Sequence, residues 1–530
     1  MNVLIAEPLA PAGVELFQSQ SGWNTIISNP KEYAQHLADA DALLVRSAVQ
    51  VTKAVLEKAP KLRVIGRAGV GVDNVDLDAA TEAGVLVMNT PGGNAVSVAE
   101  HTLALMLAMA RHIPQANAST CAGKWEKKKL MGNELRGKTL GIVGLGSIGR
   151  EVVKRARAFQ MRVVAHDPYV TSKIAQDLEV ELVSLDALYA ASDYISLHVG
   201  ATPETTGMLS AAAFQKMKQG VRIVNCARGE LVDEAALREA VESGKVAGVA
   251  LDVFSAEPPP AGFPLFGSAS VLATPHIAGS TEEAQEIVGV RIAEQVVEYL
   301  KNGVAVNAVN IPALSPERFR ILRPYAELAE KLGNFAAHIA IGNPRRVKLT
   351  YFGKIADGNT SLLRNAGLAG VLARSSAHKA NLVNAMQIAE HRGWDVAEAH
   401  EKQSVNVDTV RIELETDGGI TTVEGSVFLE KPRLTRVDGI YCELALSGPL
   451  VFMKNQDVPG VIGHVGTVLG RNAINIANFS LGRRDAPLAP GEPLEALALV
   501  ATDELVSEPV LEQLRHNPAV KFARSVEFRA

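Results

Sequence analysis

The sequence predicts an α/β protein in several units: two Rossmann-like parallel-sheet units, then an α+β unit, then a ferredoxin-like unit. Three observations carry this reading. From Asn2 to about Asn94, short apolar runs (VLIAE, ALLVRS, LRVIGRAG, VLVMNTPG) alternate with helical patterns, as in a parallel sheet covered by helices. The alternation resumes through TLGIVGLG, MRVVAHD, DYISLHV, VRIVNCARG, VAGVALDVF and VLATPHIAG, consistent with right-handed βαβ crossovers. The last stretch, Pro449 to Ala530, reads strand, helix, strand, strand, helix, strand, a ferredoxin-like order.

In chain order, residues 1–94 form the first part of one unit and 95–290 the nucleotide-type unit, while 291–312 return to the first. Two helices, near Val96 to Arg111 and Thr281 to Lys301, are the natural crossings between them. Residues 313–446 follow: a helix over Tyr325 to Ile341, the strand VKLTYFG, a Gly and Asn-rich helical stretch, and strands through TVRIELET and TTVEGSVFL. Residues 447–530 complete the chain. Its 530 residues exceed one domain severalfold, so each unit can bury a core of its own.

The net charge of -5 is mild and its signs are interspersed, which gives no reason to invoke nucleic acid or a membrane surface. The three cysteines, Cys121, Cys226 and Cys442, lack metal spacing and suit a reducing compartment, with cytoplasm as the default. MNVLIAEPLAPAG reads as a strand and turn, not a signal peptide, and the most apolar run, Thr102 to Ala110, is too short to span a bilayer. No metal site is expected.

Gly144-Leu-Gly146-Ser147-Ile148-Gly149 directly follows the strand TLGIV and opens a helix over Ser147 to Phe159, the context a dinucleotide turn requires. The first glycine permits the turn, the second lets backbone approach a pyrophosphate, and the third lets helix pack on strand. The next strand ends at Asp167, about twenty residues on, where a carboxylate accepts hydrogen bonds from ribose hydroxyls. Pro168 and Tyr169 follow it without a basic residue, and the carboxylate would repel a 2'-phosphate, so NAD is favoured over NADP.

Three polar residues, Arg228, Glu257 and His276, follow buried-looking strands at their carboxyl ends, where ligands gather in open α/β sheets. Hydride chemistry at a 2-oxo acid needs a cation for the carboxylate, a proton donor for the carbonyl oxygen, and a group that tunes the donor. Arg228 offers the bidentate fork, His276 the acid or base, and Glu257 a carboxylate that orients the imidazole and favours its charged form.

GLGSIGR, NCARGELVDE, ALDVFSAEPP and TPHIAGST, in this order and spacing, resemble the D-specific 2-hydroxyacid dehydrogenase family. The resemblance implies catalysis by Arg228, Glu257 and His276. It also implies a cofactor pocket that adds His198, Val199, Cys226, Ala227, Asp252 and Gly279 to the glycine turn. Over residues 1 to about 310 it narrows to the D-3-phosphoglycerate dehydrogenase branch through LLVRSAVQVT, GRAGVGVDNVD, NTPGGNAVSVAEHT and KWEKKKLMGNELRGKTLGIVG. That implies oxidation of 3-phosphoglycerate to 3-phosphohydroxypyruvate, with Arg46, Ser47, Arg67, Gly69, Val70, Gly71 and Asn94 toward substrate. Lys127 to Lys129 either reach a neighbouring subunit's site or form a solvated loop. A glyoxylate or hydroxypyruvate reductase is the rival enzyme reading, and a nucleotide-sensing corepressor the non-enzyme one.

KNQDVPGVIGHVGTVLGRNAINIANFSLGR resembles an ACT module, which senses small molecules. The resemblance implies L-serine as effector, held by Asn455, Asp457 and Asn475, with Asn475 opening a strand nearby. NPRRVKLTYFG, ANLVNAMQIAEHRG and EGSVFLEKPRLTRVDG resemble the intervening domain of the long form of this branch, whose Arg345, Arg346, Arg433 and Arg436 are candidate contacts for a phosphorylated ligand. A homo-oligomer, dimer or tetramer, is expected.

Overall fold

The structure is a computed structural model that describes residues 1–312, 314–374, 380–402, 407–486 and 493–528. The first unit is a five-stranded parallel sheet in the order Asn24–Ile27, Asn2–Ile5, Ala42–Val45, Val64–Arg67, Leu86–Met88. Ala42–Val45 is buried along its whole length, because apolar side chains cover both faces of the sheet.

The helix Ala95–Ala110 carries the chain to a seven-stranded parallel sheet. Its strand order is Val271–Ala273, Val246–Leu251, Val221–Asn225, Tyr194–Leu197, Thr139–Val143, Arg162–His166, Glu181–Leu182. The helix Glu282–Asn302 leads back; Thr281 caps its start by accepting from the Ala284 amide, and Gly303, at φ 72°, ends it. Its Val288, Ile292, Ala293, Val296 and Leu300 pack in the first unit's core, so the return begins inside this helix. A Cβ on Gly13 would lie 2.6 Å from the Gly289 carbonyl oxygen, so the helix Pro11–Gln18 crosses the returning helix through bare backbone.

The third unit is a mixed six-stranded sheet with the helices Pro316–Ile339 and Ser361–Leu372 against one face. The first of these starts nine residues before the expected Tyr325, at Pro316, where the Ser315 hydroxyl accepts from the Arg318 amide. Pro324 lies inside it, and a proline at mid-helix, which lacks the backbone donor, masks the preceding turns in the sequence. On the other face, Arg346 pairs with Asp395 at 3.0 Å and Arg433 with Glu443 at 3.1 Å. Each of those two candidate phosphate contacts thus has a carboxylate partner on the exposed face of the sheet.

The last unit is an antiparallel sheet ordered Ile476–Arg483, Glu495–Thr502, Gly448–Gln456, Val520–Phe528, with the helices Val461–Arg471 and Glu508–Arg515 on one face. From its other face Phe452, Leu497, Leu499, Val526 and Phe528 join the core of the third unit, where the Phe335 and Phe452 rings meet edge to face at 5.5 Å. These two units share one core. The third unit also docks on the first: the Asn381 amide donates to the Gly84 carbonyl at 2.8 Å, and Val383 is buried among the first unit's apolar residues. Among the described residues no helix is long and apolar enough to cross a membrane.

Candidate active site

The glycine turn is built as its spacing requires. Gly144 has φ 96°, and a Cβ there would lie 2.6 Å from the His198 carbonyl oxygen and 2.7 Å from Val199 Cγ1. A Cβ on Gly149 would lie 2.1 Å from the Gly144 carbonyl, so helix meets strand only through glycine. Around Gly146 nothing lies within 4 Å of that position, which leaves a cradle for a pyrophosphate at the start of the helix Ser147–Ala158. Asp167 follows the strand Arg162–His166 and accepts from the Leu145 amide at 2.8 Å and the Tyr169 amide at 2.9 Å, which anchors a carboxylate beside the turn. Ile148 packs into the nucleotide core, while Ser147 Oγ lies 3.4 Å from where a Cβ on Gly92 of the first unit would stand.

Cys226 and Ala227 are buried behind this turn, and burial pushes the Cys226 thiol up to about 12, which makes it a neutral wall. His198 is also buried; desolvation lowers its pKa to about 4, its Nε2 meets Ser196 Oγ at 2.8 Å, and its Nδ1 has no protein partner. These residues fit a dinucleotide lying across the glycine turn.

Arg228, Glu257 and His276 come off three neighbouring strands, Val221–Asn225, Val246–Leu251 and Val271–Ala273, at their carboxyl ends. Asn225 is fully buried and holds the arginine turn from both sides, accepting from the Ala227 amide at 3.0 Å and donating to the Arg228 carbonyl at 2.8 Å. A Cβ on Gly229 would lie 1.9 Å from the Phe254 carbonyl carbon, so the Arg228 turn rests directly on the backbone that leads to Glu257. Glu257 Oε1 accepts from the Phe254 amide at 3.1 Å, and Oε2 lies 2.6 Å from His276 Nδ1. That contact makes Nδ1 the donor and leaves Nε2 free for proton transfer.

His276 has φ 52°, and its amide donates to the Asp252 carbonyl at 2.8 Å. The buried Asp252 carboxylate accepts from Thr274 Oγ1 at 2.6 Å, Ile277 at 3.0 Å and Ala278 at 2.9 Å, and lies 3.5 Å from His101. Burial raises its pKa, yet the hydrogen bonds from His101, Thr274, Ile277 and Ala278 together hold it below the usual carboxylate range. Asp252 thus organises the histidine loop from inside the protein, with its side chain turned away from solvent.

Arg46 follows the strand Ala42–Val45, and Arg67 ends the neighbouring Val64–Arg67. Burial lowers the Arg67 pKa most; Asp73 opposes this, and the like charges of Arg228 and Arg46 add to the lowering. Arg228 Nη2 reaches across from the nucleotide unit to Asp73 Oδ2 at 2.9 Å. In the Gly69-Val70-Gly71 turn, a Cβ on Gly71 would lie 2.2 Å from Arg228 Nη2 and one on Gly69 1.6 Å from Arg67 Nη1, so both glycines make room for guanidinium groups. The Val70 carbonyl accepts from Asn89, while Ser47 is exposed.

A cavity of about 210 Å³ between the units is lined by Pro8, Leu9, Ala10, Arg46, Ala68 and Gln285. Gln285 donates to the Gly279 carbonyl at 3.1 Å, and a Cβ on Gly279 would lie 2.8 Å from Asn94 Nδ2. Asn94 Oδ1 is buried without a protein partner. Sequence reasoning missed Asp73, Asn225, Gly229 and Gln285. Asn225, Gly229 and Asp73 stand inside quoted motifs; Asn225 and Gly229 were legible there, whereas the roles of Asp73 and Gln285 emerge only once the two units meet.

The structure brings two of the three residues expected to hold serine together. Asn455 stands one residue before the end of the strand Gly448–Gln456 with its Oδ1 buried and unpartnered, and Asp457 just beyond the strand pairs with Arg483 at 3.3 Å. Asn475, expected nearby, bonds Asp503 at 2.9 Å at the far end of the sheet. Arg483 and Asn455 both pair with Ala496, whereas Ile476 pairs with Thr502, six residues along, so the separation is roughly 20 Å. Strand length explains the correction: neighbours at one end of an eight-residue strand are remote from its other end. Lys127–Lys129 form one short turn, with Lys129 paired to Glu126 at 2.8 Å.

The family model for the D-isomer specific 2-hydroxyacid dehydrogenase NAD binding domain matches residues 103–278, and that for the D-3-phosphoglycerate dehydrogenase intervening domain matches 321–438. The chain is 41% identical over 531 residues to D-3-phosphoglycerate dehydrogenase of Archaeoglobus fulgidus, covering 99% of this chain and 100% of that one. It is 37% identical over 528 residues to the Bacillus subtilis enzyme of the same name, covering 99% of each. Among solved structures, the TT0316 protein from Thermus thermophilus superimposes with a TM-score of 0.54 and 35% identity over 58% of this chain and all of that one. NAD-dependent formate dehydrogenase from Staphylococcus aureus, in complex with NAD, does so with a TM-score of 0.53 and 29% identity over 59% of this chain and 100% of that one.

Proposed function

The chain belongs to the D-3-phosphoglycerate dehydrogenases, a branch of the NAD-binding D-isomer specific 2-hydroxyacid dehydrogenases, and on that premise we propose that it oxidises 3-phospho-D-glycerate to 3-phosphohydroxypyruvate, the opening step of phosphorylated serine synthesis. Bound NAD supplies the hydride acceptor. Arg228 grips the substrate carboxylate, and its ion pair with the exposed Asp73 gives way to that stronger bidentate contact. Arg46 and Arg67 supply the further cations that a doubly charged phosphate needs. His276 Nε2 takes the proton of the C2 hydroxyl as the C2 hydride leaves, while Glu257 holds Nδ1 and so fixes the tautomer.

The observation that carries this reading is the 2.6 Å contact of His276 with Glu257, one strand away from an arginine held by buried Asn225. Reduction of 3-phosphohydroxypyruvate compared with plain hydroxypyruvate tests it. A kcat/KM at least a hundredfold higher for the phosphorylated acid is expected, whereas parity would favour the hydroxypyruvate reductase reading.

The unit boundaries 1–94 with 291–312, 95–290, 313–446 and 447–530 are part of this proposal, as is a cytoplasmic homo-oligomer. So is feedback by L-serine at Asn455 and Asp457, with Asn475 supplied by a second copy because its own lies at the other end of the sheet. The serine ammonium then replaces Arg483 on Asp457. The rate of NADH formation against rising L-serine tests this, and a flat response would remove the claim.

A further inference from the structure

We propose that Glu7, assisted by Asn74, is a positioning residue that presents Arg46 to the substrate's phosphate and thereby sets the preference for phosphorylated over plain 2-hydroxy acids. The inference rests on the substrate reading above. Glu7 stands two residues beyond the first strand, whose pairing of Ile5 with Leu44 sets it beside Arg46. It is only 6% exposed. Its Oε1 accepts from the amides of Arg46 at 2.8 Å and Val49 at 2.9 Å, and its Oε2 from Ala48 at 3.1 Å. Asn74, 8% exposed, donates to the carbonyls of Arg46 at 3.0 Å and Val49 at 2.7 Å. Two buried side chains therefore hold both the donors and the acceptors of one short turn.

A buried carboxylate is costly to desolvate, and here backbone amides satisfy it. A neutral side chain could close an ordinary turn, whereas a charge with three amides resists displacement of any of them. Geometry gives that rigidity a use. Pro8, Leu9 and Ala10, which continue directly from Glu7, and Arg46, which its carboxylate holds, line the same cavity of about 210 Å³. Arg46 Nη1 lies 3.4 Å from the Pro8 carbonyl, so its guanidinium rests on that wall at the edge of hydrogen-bond distance. Glu7 thus sets the spacing between the wall and the cation, and phosphate recognition by a guanidinium fork is sensitive to that spacing.

Glu7→Gln is nearly isosteric but turns one acceptor into a donor against an amide, and Asn74→Ala releases the same turn from its other side. With either variant, KM for 3-phosphohydroxypyruvate should rise tenfold or more, while kcat, the Kd for NADH and kcat/KM for plain hydroxypyruvate stay within about twofold. In an Arg46→Ala background, Glu7→Gln should add nothing. Equal losses on the two substrates, an unchanged KM, or an effect that persists without Arg46 would overturn the proposal. Should Glu7→Gln fail to bind NADH or to melt cooperatively, Asn74→Ala carries the same comparison. The unmodified enzyme is measured first: if it does not prefer the phosphorylated acid, the substrate reading falls and this falls with it. If it does and both variants match it, only the role of Glu7 and Asn74 is lost.

Discussion

Gly229→Ala probes the active site through its backbone and leaves every charged group in place. A Cβ there would stand 1.9 Å from the Phe254 carbonyl carbon, 2.2 Å from its oxygen and 2.3 Å from the Ser255 nitrogen. Ordinary contact begins near 3.4 Å, so the two segments must separate by about 1.5 Å (3.4 less 1.9), and all three obstructing atoms are backbone. One segment carries Arg228 and the other leads to Glu257, whose Oε1 is tied to the Phe254 amide. The separation thus moves the carboxylate-binding fork away from the acid-base pair. Overpacking of this kind costs about 1–3 kcal/mol of stability, and a misplacement of about 1 Å in an active site costs on the order of a hundredfold in rate. The assay is NADH formation from 3-phosphoglycerate, alongside NAD binding by calorimetry. A kcat/KM down roughly a hundredfold with NAD affinity within threefold is expected. A folded variant with activity within threefold of the parent would refute the claim that this glycine contact aligns the site.

Other expectations follow from the same geometry. His276→Ala should lower kcat by about 10²–10⁴-fold with NAD affinity unchanged, and Glu257→Gln should lower it less, because an amide oxygen still accepts from Nδ1; turnover near the parental rate in His276→Ala would end the acid-base assignment. Asp167→Ala combined with Pro168→Arg should move the NAD to NADP ratio of kcat/KM at least tenfold toward NADP, and an unmoved ratio would contradict the role of Asp167. Burial lowers the His198 pKa from 6.5 to about 4. The unfolded chain therefore binds this proton more readily, and native stability falls as pH drops from about 6.5 toward 4, by on the order of 2–3 kcal/mol. His198→Asn should remove that share, so denaturant unfolding at pH 7.5 and 4.5 should show a smaller acid loss than in the parent; an identical loss would refute it.

What was legible in the sequence was local or repeated at strand ends. Gly144, Gly146, Gly149 and Asp167 lie within one βαβ unit, where spacing along the chain determines proximity in space. Arg228, Glu257 and His276 were legible because each follows a strand, and the sheet makes those three strands neighbours. What escaped depends on register and on contacts between units. Nothing local ties Glu7 to Arg46, since their meeting needs the pairing of the first and third strands. The contact of Arg228 with Asp73 exists only across the cleft. Asn475 looked close to Asn455 because both flank the one helix Val461–Arg471, yet the strands on either side of that helix run parallel, each antiparallel to Glu495–Thr502 between them, so the start of the second lies at the opposite end of the sheet from the end of the first. The core shared by the third and fourth units left only an indirect trace: the continuous apolar runs PLVFM and ALALVA mark strands buried on both faces, and nothing local says that the third unit is what covers the second face.

In the proposed reaction a hydride leaves C2 of the substrate while His276 takes only the hydroxyl proton. Incubating 3-phosphoglycerate deuterated at C2 with NAD in ordinary water, then analysing the reduced cofactor by NMR, tests this most directly. One deuterium per molecule of NADH at the nicotinamide C4 is expected, with formation abolished in His276→Ala. Deuterium released to water, or undiminished transfer in that variant, would contradict it.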